Sequence, residues 1–205
     1  MSASTQYLRD AIKNRGSLHA LSDDVQIPDS IVIDTVRHAI LNAPTPFNCQ
    51  SGRAVVLLKE EHKKFWDMAY DVSKAAVAPP VFEKAFGPRI KMFRAAYGTI
   101  LFYESGAALE AQAQKTPMVK DKLPEWSEQS NGMLEYAVWT MLTAEGFGVN
   151  LQHYNPIVDA ATAKQWGIPA DWSLKAQMVF GKPTGPRIME KTFEPVEDRM
   201  KVFGA

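Results

Sequence analysis

Three short stretches carry the residues able to do chemistry. From Arg15 to His19 the order Arg-Gly-Ser-Leu-His sets Arg15, Ser17 and His19 two apart. In an extended chain such residues point to one side, which would make one donor-rich face, although a short polar stretch also suits a solvated loop. A second stretch, PTPFNCQSG, holds the amides Asn48 and Gln50 in a loop fixed by two prolines and a glycine, where amides can also serve only as turn residues. The third is Gln152, His153, Tyr154 and Asn155, at the end of an alternating segment that begins at Val149. That last group, at the end of a strand fed by a buried helix, is a plausible floor for a ligand site. Cys49 has no base identifiable beside it, and inert thiols are the commoner case. His19, His38, His62 and His153 lack the spacing of metal ligands, so no metal is expected.

The elements that must position these groups centre on the stretch from Ser127 to Pro156. From Met133 to Ala144 only Glu135, Thr140 and Thr143 are polar. A helix apolar on nearly every face belongs inside a domain, and this one is too short and interrupted to cross a membrane. Pro124 suits its first turn, and Gly146 and Gly148 can end it in a left-handed conformation. A strand from Val149 to Tyr154 should follow. The remaining helices are expected over Ser4–Asn14 (Tyr7, Leu8, Ala11 and Ile12 on one stripe), Pro28–Ala43 (Val32, Val36, Ala39 and Ile40 inward), Glu60–Ala76, Ala107–Lys115 and Val158–Trp166. Val81–Ala95 reads as helical in pieces around Gly87-Pro88, and Thr116–Leu123 as an exposed connection. Strands are expected at Arg53–Leu58, Ala96–Tyr103 and Trp172–Gly181, the last with Leu174, Ala176, Met178 and Phe180 inward, and a strand-like end at Met200–Phe203.

The 205 residues are 46% hydrophobic and 22% charged, an ordinary globular composition that predicts one domain over residues 1–205. A formal net charge of zero gives no electrostatic case for nucleic acid or an anionic membrane. One cysteine excludes an internal disulfide, and the N-terminus lacks the apolar core of a secretory signal. A soluble cytoplasmic protein is expected, with the nucleus also open to it in a eukaryote. The fold class is α+β: a mixed sheet of four to five strands covered by helices around a buried central helix.

The order of the R-x-S-x-H segment, the P-T-x-x-N-x-Q loop before a strand, a buried helix after S-N-G, the turn G-F-G-V-N-L-Q-H-Y-N-P and a C-terminal G-K-P with a later K-x-x-x-P resembles the FMN-dependent nitroreductase family. QHYNP, the AYGTILFYE strand and the closing EDRMKVF are similar to its fatty-acid-repression-type branch, known from yeasts and bacteria. The resemblance spans essentially the whole chain. It implies a homodimer with two FMN molecules at the subunit interface, and reduction of nitroaromatic or quinone acceptors by NADH or NADPH in ping-pong order. Residue by residue, it places Arg15, Ser17 and His19 on the flavin-binding segment and Asn48 and Gln50 beside the isoalloxazine. Gln152 and His153 fall at the turn facing the flavin ring, and Lys191 on the phosphate.

The chemistry is compatible with that assignment, because a flavin carries the hydride step and the protein need supply only donors, a cationic clamp and an apolar slot. For the acceptor slot the aromatic candidates are Phe47, Tyr97, Phe102, Tyr103 and Phe147. Core packing is the alternative for the strand residues, and Phe47 stands out as the one in a loop. Two departures weaken the clamp. Gly16 stands where the family commonly has a second basic residue, and the tail keeps Lys191 but has Phe193 where many relatives have arginine. One phosphate or ribityl contact is therefore missing or replaced, and an FMN dissociation constant above about a micromolar, near −8 kcal/mol, is expected. Two other readings are a flavin-binding redox sensor linked to lipid or oxidative-stress signalling, and a protein that has kept the fold and lost the flavin.

Overall fold

A computed structural model describes residues 2–187 and 191–204. Helix α1 (Ala3–Asn14) starts where the Ser2 hydroxyl accepts the Thr5 amide, a cap two residues earlier than the sequence suggests. The short strand β1 (Leu21–Ser22) and helix α2 (Asp29–Asn42) follow. Then come β2 (Gly52–Leu58) and α3 (Lys59–Ala76). The chain from Pro79 to Arg94 is continuously helical, as α4 (Pro79–Val81), a π turn over Phe82–Phe86 and α5 (Gly87–Arg94). Gly87-Pro88 does not break it, because the π turn, in which Gly87 N donates to Phe82 O, carries the chain into α5 with Pro88 at its start. Strand β3 (Gly98–Ser105), helices α6 (Gly106–Lys115) and α7 (Leu123–Ala144), strand β4 (Gly148–Gln152), helix α8 (Asp159–Trp166) and strand β5 (Trp172–Pro183) complete the core. A 3-10 helix over Pro117–Lys122 makes the expected connection before α7.

The sheet runs β1-β5-β3-β2, with β4 also paired to β5, and every ladder is antiparallel. The parallel component described is a single bridge, Ser17 to Val149. Both faces of the sheet are covered, so the central strands read as continuous apolar runs. On one face Phe65, Trp66 and Ala69 of α3, Ile90 and Phe93 of α5 and Val158 pack on Leu101, Tyr103 and Val179. On the other, Val32, Val36 and Ala39 of α2 and Leu134, Val138 and Leu142 of α7 pack on Ile100, Phe102, Met178 and Phe180. Leu174 departs from the expected alternation. The β3–β5 register shifts between Phe102 and Tyr103, so Ala176 stays on the α2/α7 face while Leu174 turns to the α3/α5 face.

Further sequence expectations are corrected. Helix α7 is not buried on every side: Met133 and Tyr136 are 45% and 40% exposed, and Ile40 of α2 is exposed as well. An apolar residue scores alike whether its own chain or a partner covers it. Gly146 does take a positive φ after α7, but Gly148 begins β4. The tail forms no strand at Met200–Phe203; one helical turn, α9 (Val196–Arg199), precedes it, and residues 191–204 are exposed.

The α3 face also hides a histidine. His62 is fully buried, its Nδ1 2.8 Å from the Thr99 hydroxyl, which accepts from Trp66 Nε1 at 2.9 Å. Burial pushes its pKa down to about 4, from 6.5. A depressed histidine pKa means that the unfolded chain binds the proton more readily, so this contribution to stability is complete above pH 6.5 and is lost as pH falls towards 4. The loss amounts to about 3 kcal/mol. Urea midpoints measured between pH 7 and pH 4 should fall more steeply for the wild-type chain than for His62→Gln, and equal slopes would refute the assignment.

Candidate functional site

The segment after α1 is fastened along β4. Leu18 N donates to Val149 O at 2.9 Å, Asn150 Nδ2 to Leu18 O at 2.8 Å, and Gln152 Nε2 to Asn150 Oδ1 at 2.8 Å. This extended attachment brings Arg15, Ser17 and His19 into one cavity of about 530 Å³, with Gln152 on its wall, within the range of small-molecule sites, roughly 300–1,000 Å³. Lys191 arrives from the tail, its Nζ donating to Arg15 O at 3.0 Å. Five residues expected from the sequence thus meet in one place. His153, next along the chain, is exposed and does not line the cavity.

Four further lining residues have no counterpart in the sequence reading: Arg89, Met92 and Phe93 of α5, and Arg187. The wall holds Arg15, Arg89, Arg187 and Lys191, and none of the described lining residues is acidic. Partial desolvation against the cavity lowers the Lys191 pKa, and the charges of Arg15 and Arg187 lower it further. Burial likewise lowers that of His19, helped by Arg89, which favours a neutral imidazole with one donor and one acceptor. The Arg15 guanidinium lies over the rings of Trp139 (4.7 Å) and Tyr136 (5.5 Å) of α7. Arg15 Nε and His19 Nδ1 are buried without a hydrogen-bond partner among the described residues. Buried polar groups left unpaired in a cationic wall, the Arg15 donor above all, are costly unless a polar, anionic ligand meets them.

Asn48 and Gln50 lie elsewhere, in a second cavity of about 240 Å³ with Thr45, Arg53, Glu104 and Ser130. Phe47, Asn48 and Gln50 have φ of 52°, 55° and 52°, a left-handed conformation that costs a non-glycine residue roughly 1–2 kcal/mol and gathers at functional loops. Thr45 holds the turn, its hydroxyl accepting from Gln50 N at 2.9 Å. The floor is Glu104, 2% exposed, with Oε1 accepting from Asn131 Nδ2 at 2.8 Å; burial raises its pKa. Phe47 is 57% exposed and sits 6.1 Å from Trp126, whereas Tyr97, Phe102, Tyr103 and Phe147 are core residues. One chain therefore does not join the two groups. The loop stands by Ser130 of α7 and Arg15 by Trp139, roughly 14 Å apart along the helix.

Between them runs an unpartnered apolar face. Leu8 and Ile12 of α1, Met133, Tyr136 and Met141 of α7 and Ala43 line a groove of about 360 Å³. Tyr7 and Leu41 are exposed nearby in the chain, and so are Phe193, Met200, Val202 and Phe203 of the tail. Among the described residues no helix is long and apolar enough to cross a membrane.

The chain is similar to known proteins over most of its length. The chain is 34% identical over 198 residues to the nitroreductase FRM2 of Saccharomyces cerevisiae, covering 94% of this chain and 95% of FRM2. It superposes on the nitroreductase CinD of Lactococcus lactis, solved in complex with chloramphenicol, with a TM-score of 0.87 and 38% identity. The match covers 96% of this chain and 99% of CinD, and CinD has also been solved with 4-nitrophenol. A Desulfovibrio desulfuricans structure in complex with FMN shares the fold, with a TM-score of 0.65 at 18% identity over 96% of this chain and 97% of that one. The nitroreductase family model matches residues 12–182, and the chain belongs to the nitroreductase family.

Proposed function

We propose that the chain is an FMN-dependent oxidoreductase that draws on NADH or NADPH, reduces nitroaromatic or quinone acceptors and works as a homodimer. The observation that carries this reading is the cation-lined cavity in which Arg15 Nε and His19 Nδ1 lack partners. Those groups fit FMN: Arg15 and Lys191 would hold the phosphate, a guanidinium by paired bonds and an ammonium as a point charge. Ser17 and His19 would meet the ribityl chain and the pyrimidine edge, and Gln152 the ring. When bound, FMN would take two electrons and a proton from the nicotinamide and deliver them to the acceptor in a second half-reaction. Arg89 adds positive charge to the wall carrying Met92 and Phe93. A second copy laid on the exposed face of α1, α2 and α7 would cover that face and bring its Asn48–Gln50 loop towards this cavity, with Phe47 as a wall for the acceptor.

The test is the visible spectrum of the protein incubated with FMN and freed of excess, followed by anaerobic NADH and then NADPH. The expected result is a bound flavin band that one of them bleaches and that 4-nitrophenol or a benzoquinone restores. Phe47→Ala should leave the bleaching rate unchanged and alter the ratio of restoration rates between the two acceptors. A flavin that neither nucleotide reduces would favour a sensor over an enzyme, and a colourless protein would sink the reading.

A further inference from the structure

Gly16 is buried, yet its backbone is not left-handed. The space beside it is taken by the end of a long side chain: a Cβ there would stand 2.5 Å from Arg187 Cζ and 2.8 Å from its Nε and Nη2. No side chain fits without moving that guanidinium. Arg187 Nη2 donates to Asn14 O, which aims the group across the end of α1 and into the cavity shared with Arg15 and Lys191. A guanidinium carries five N–H donors, and this contact uses one.

We propose that Arg187 replaces the second cation that position 16 lacks, and that the missing side chain at Gly16 is the space through which the tail delivers it to the phosphate of the bound nucleotide. The inference rests on the flavin reading above and deepens it by assigning the phosphate a third ligand. It also offsets the part of the expected weak retention that rests on Gly16, leaving the part that rests on Phe193. A merely structural role, capping the last carbonyls of α1, would account for the Asn14 contact but not for a preference between phosphorylated and unphosphorylated ligands.

That difference supplies the test, with FMN and riboflavin titrated into the full chain and followed by flavin fluorescence. Arg187→Ala should weaken FMN binding about ten- to a hundredfold, as the loss of a charge-assisted contact does, and leave riboflavin affinity unchanged. Gly16→Ala, which displaces the guanidinium, should act in the same direction. In the double variant Gly16→Lys/Arg187→Ala, a cation restored at position 16 should recover most of the FMN affinity. Melting curves of the flavin-free variants establish that each is folded, and Arg187→Gln serves if the alanine variant is not. An equal loss for both ligands, or none for FMN, would overturn the proposal in favour of a helix cap. A wild-type chain that bound neither ligand would overturn the flavin reading as well, which separates the two failures.

Discussion

Arg15→Ala should yield a protein that purifies without flavin, its FMN dissociation constant raised about a hundredfold or more. Each charge-assisted hydrogen bond is worth about 1.5–3 kcal/mol, each 1.4 kcal/mol is tenfold in affinity, and a guanidinium fork can make two. The unpartnered Nε of Arg15 shows that the group is not consumed by the protein's own bonds. Its stacking on Trp139 and Tyr136 holds it in place before a ligand arrives, so little ordering remains to be done on binding. The same stacking contributes about 0.5–1 kcal/mol to the fold, and the flavin-free variant should melt slightly lower than the flavin-free wild type. Arg15→Lys, which keeps the charge and loses the fork, should fall between the two. Titration of FMN into the three proteins is the measurement, and an alanine variant that stays yellow would remove Arg15 from the clamp.

On the homodimer proposed above, Met133→Glu should split the dimer and release its flavin. Met133 lies in the groove between α1 and α7 with Leu8, Ile12 and Tyr136, and a carboxylate there would be buried by a partner without a counter-charge, at a cost of several kcal/mol. Within one chain the position is 45% exposed, so the monomer should tolerate the charge and keep its circular dichroism. Light scattering with in-line absorbance reads mass and flavin together. Loss of both is the expected result; a flavin-loaded monomer would show that one chain completes the site, and an unchanged dimer would place the interface on another surface.

Much of the fold is legible in the sequence because both sheet faces and most helices obey simple periods. Where the reading fails, the causes are local. The register shift opposite Phe102 and Tyr103 moves Leu174 across the sheet, and a bulge leaves no mark on an apolar run. Of the residues lining the cavity, Arg15, Ser17, His19 and Gln152 stand out in the sequence by type and spacing, and Lys191 only through the family resemblance. Arg89 was missed because Gly87-Pro88 reads as a break, whereas the π turn before it keeps one helix running to Arg94 and sets Arg89, Met92 and Phe93 on the cavity. Arg187 was missed because nothing in a proline-rich tail says which glycine it will cross. The apolar character of Met133 and Tyr136 was legible, but not whose surface they meet.

The contacts that close the cavity are among the most distant in sequence. Lys191 and Arg15 are 176 residues apart, Arg187 and Asn14 173, and Asn150 and Leu18 132. Loop closure of that length comes late in folding, after local helices and hairpins have formed. A chain still under synthesis has most of the sheet but neither tail cation. On the flavin reading, the nucleotide would meet its full set of cations only on the finished chain. It would then add to stability by mass action, in proportion to the logarithm of its free concentration over its dissociation constant.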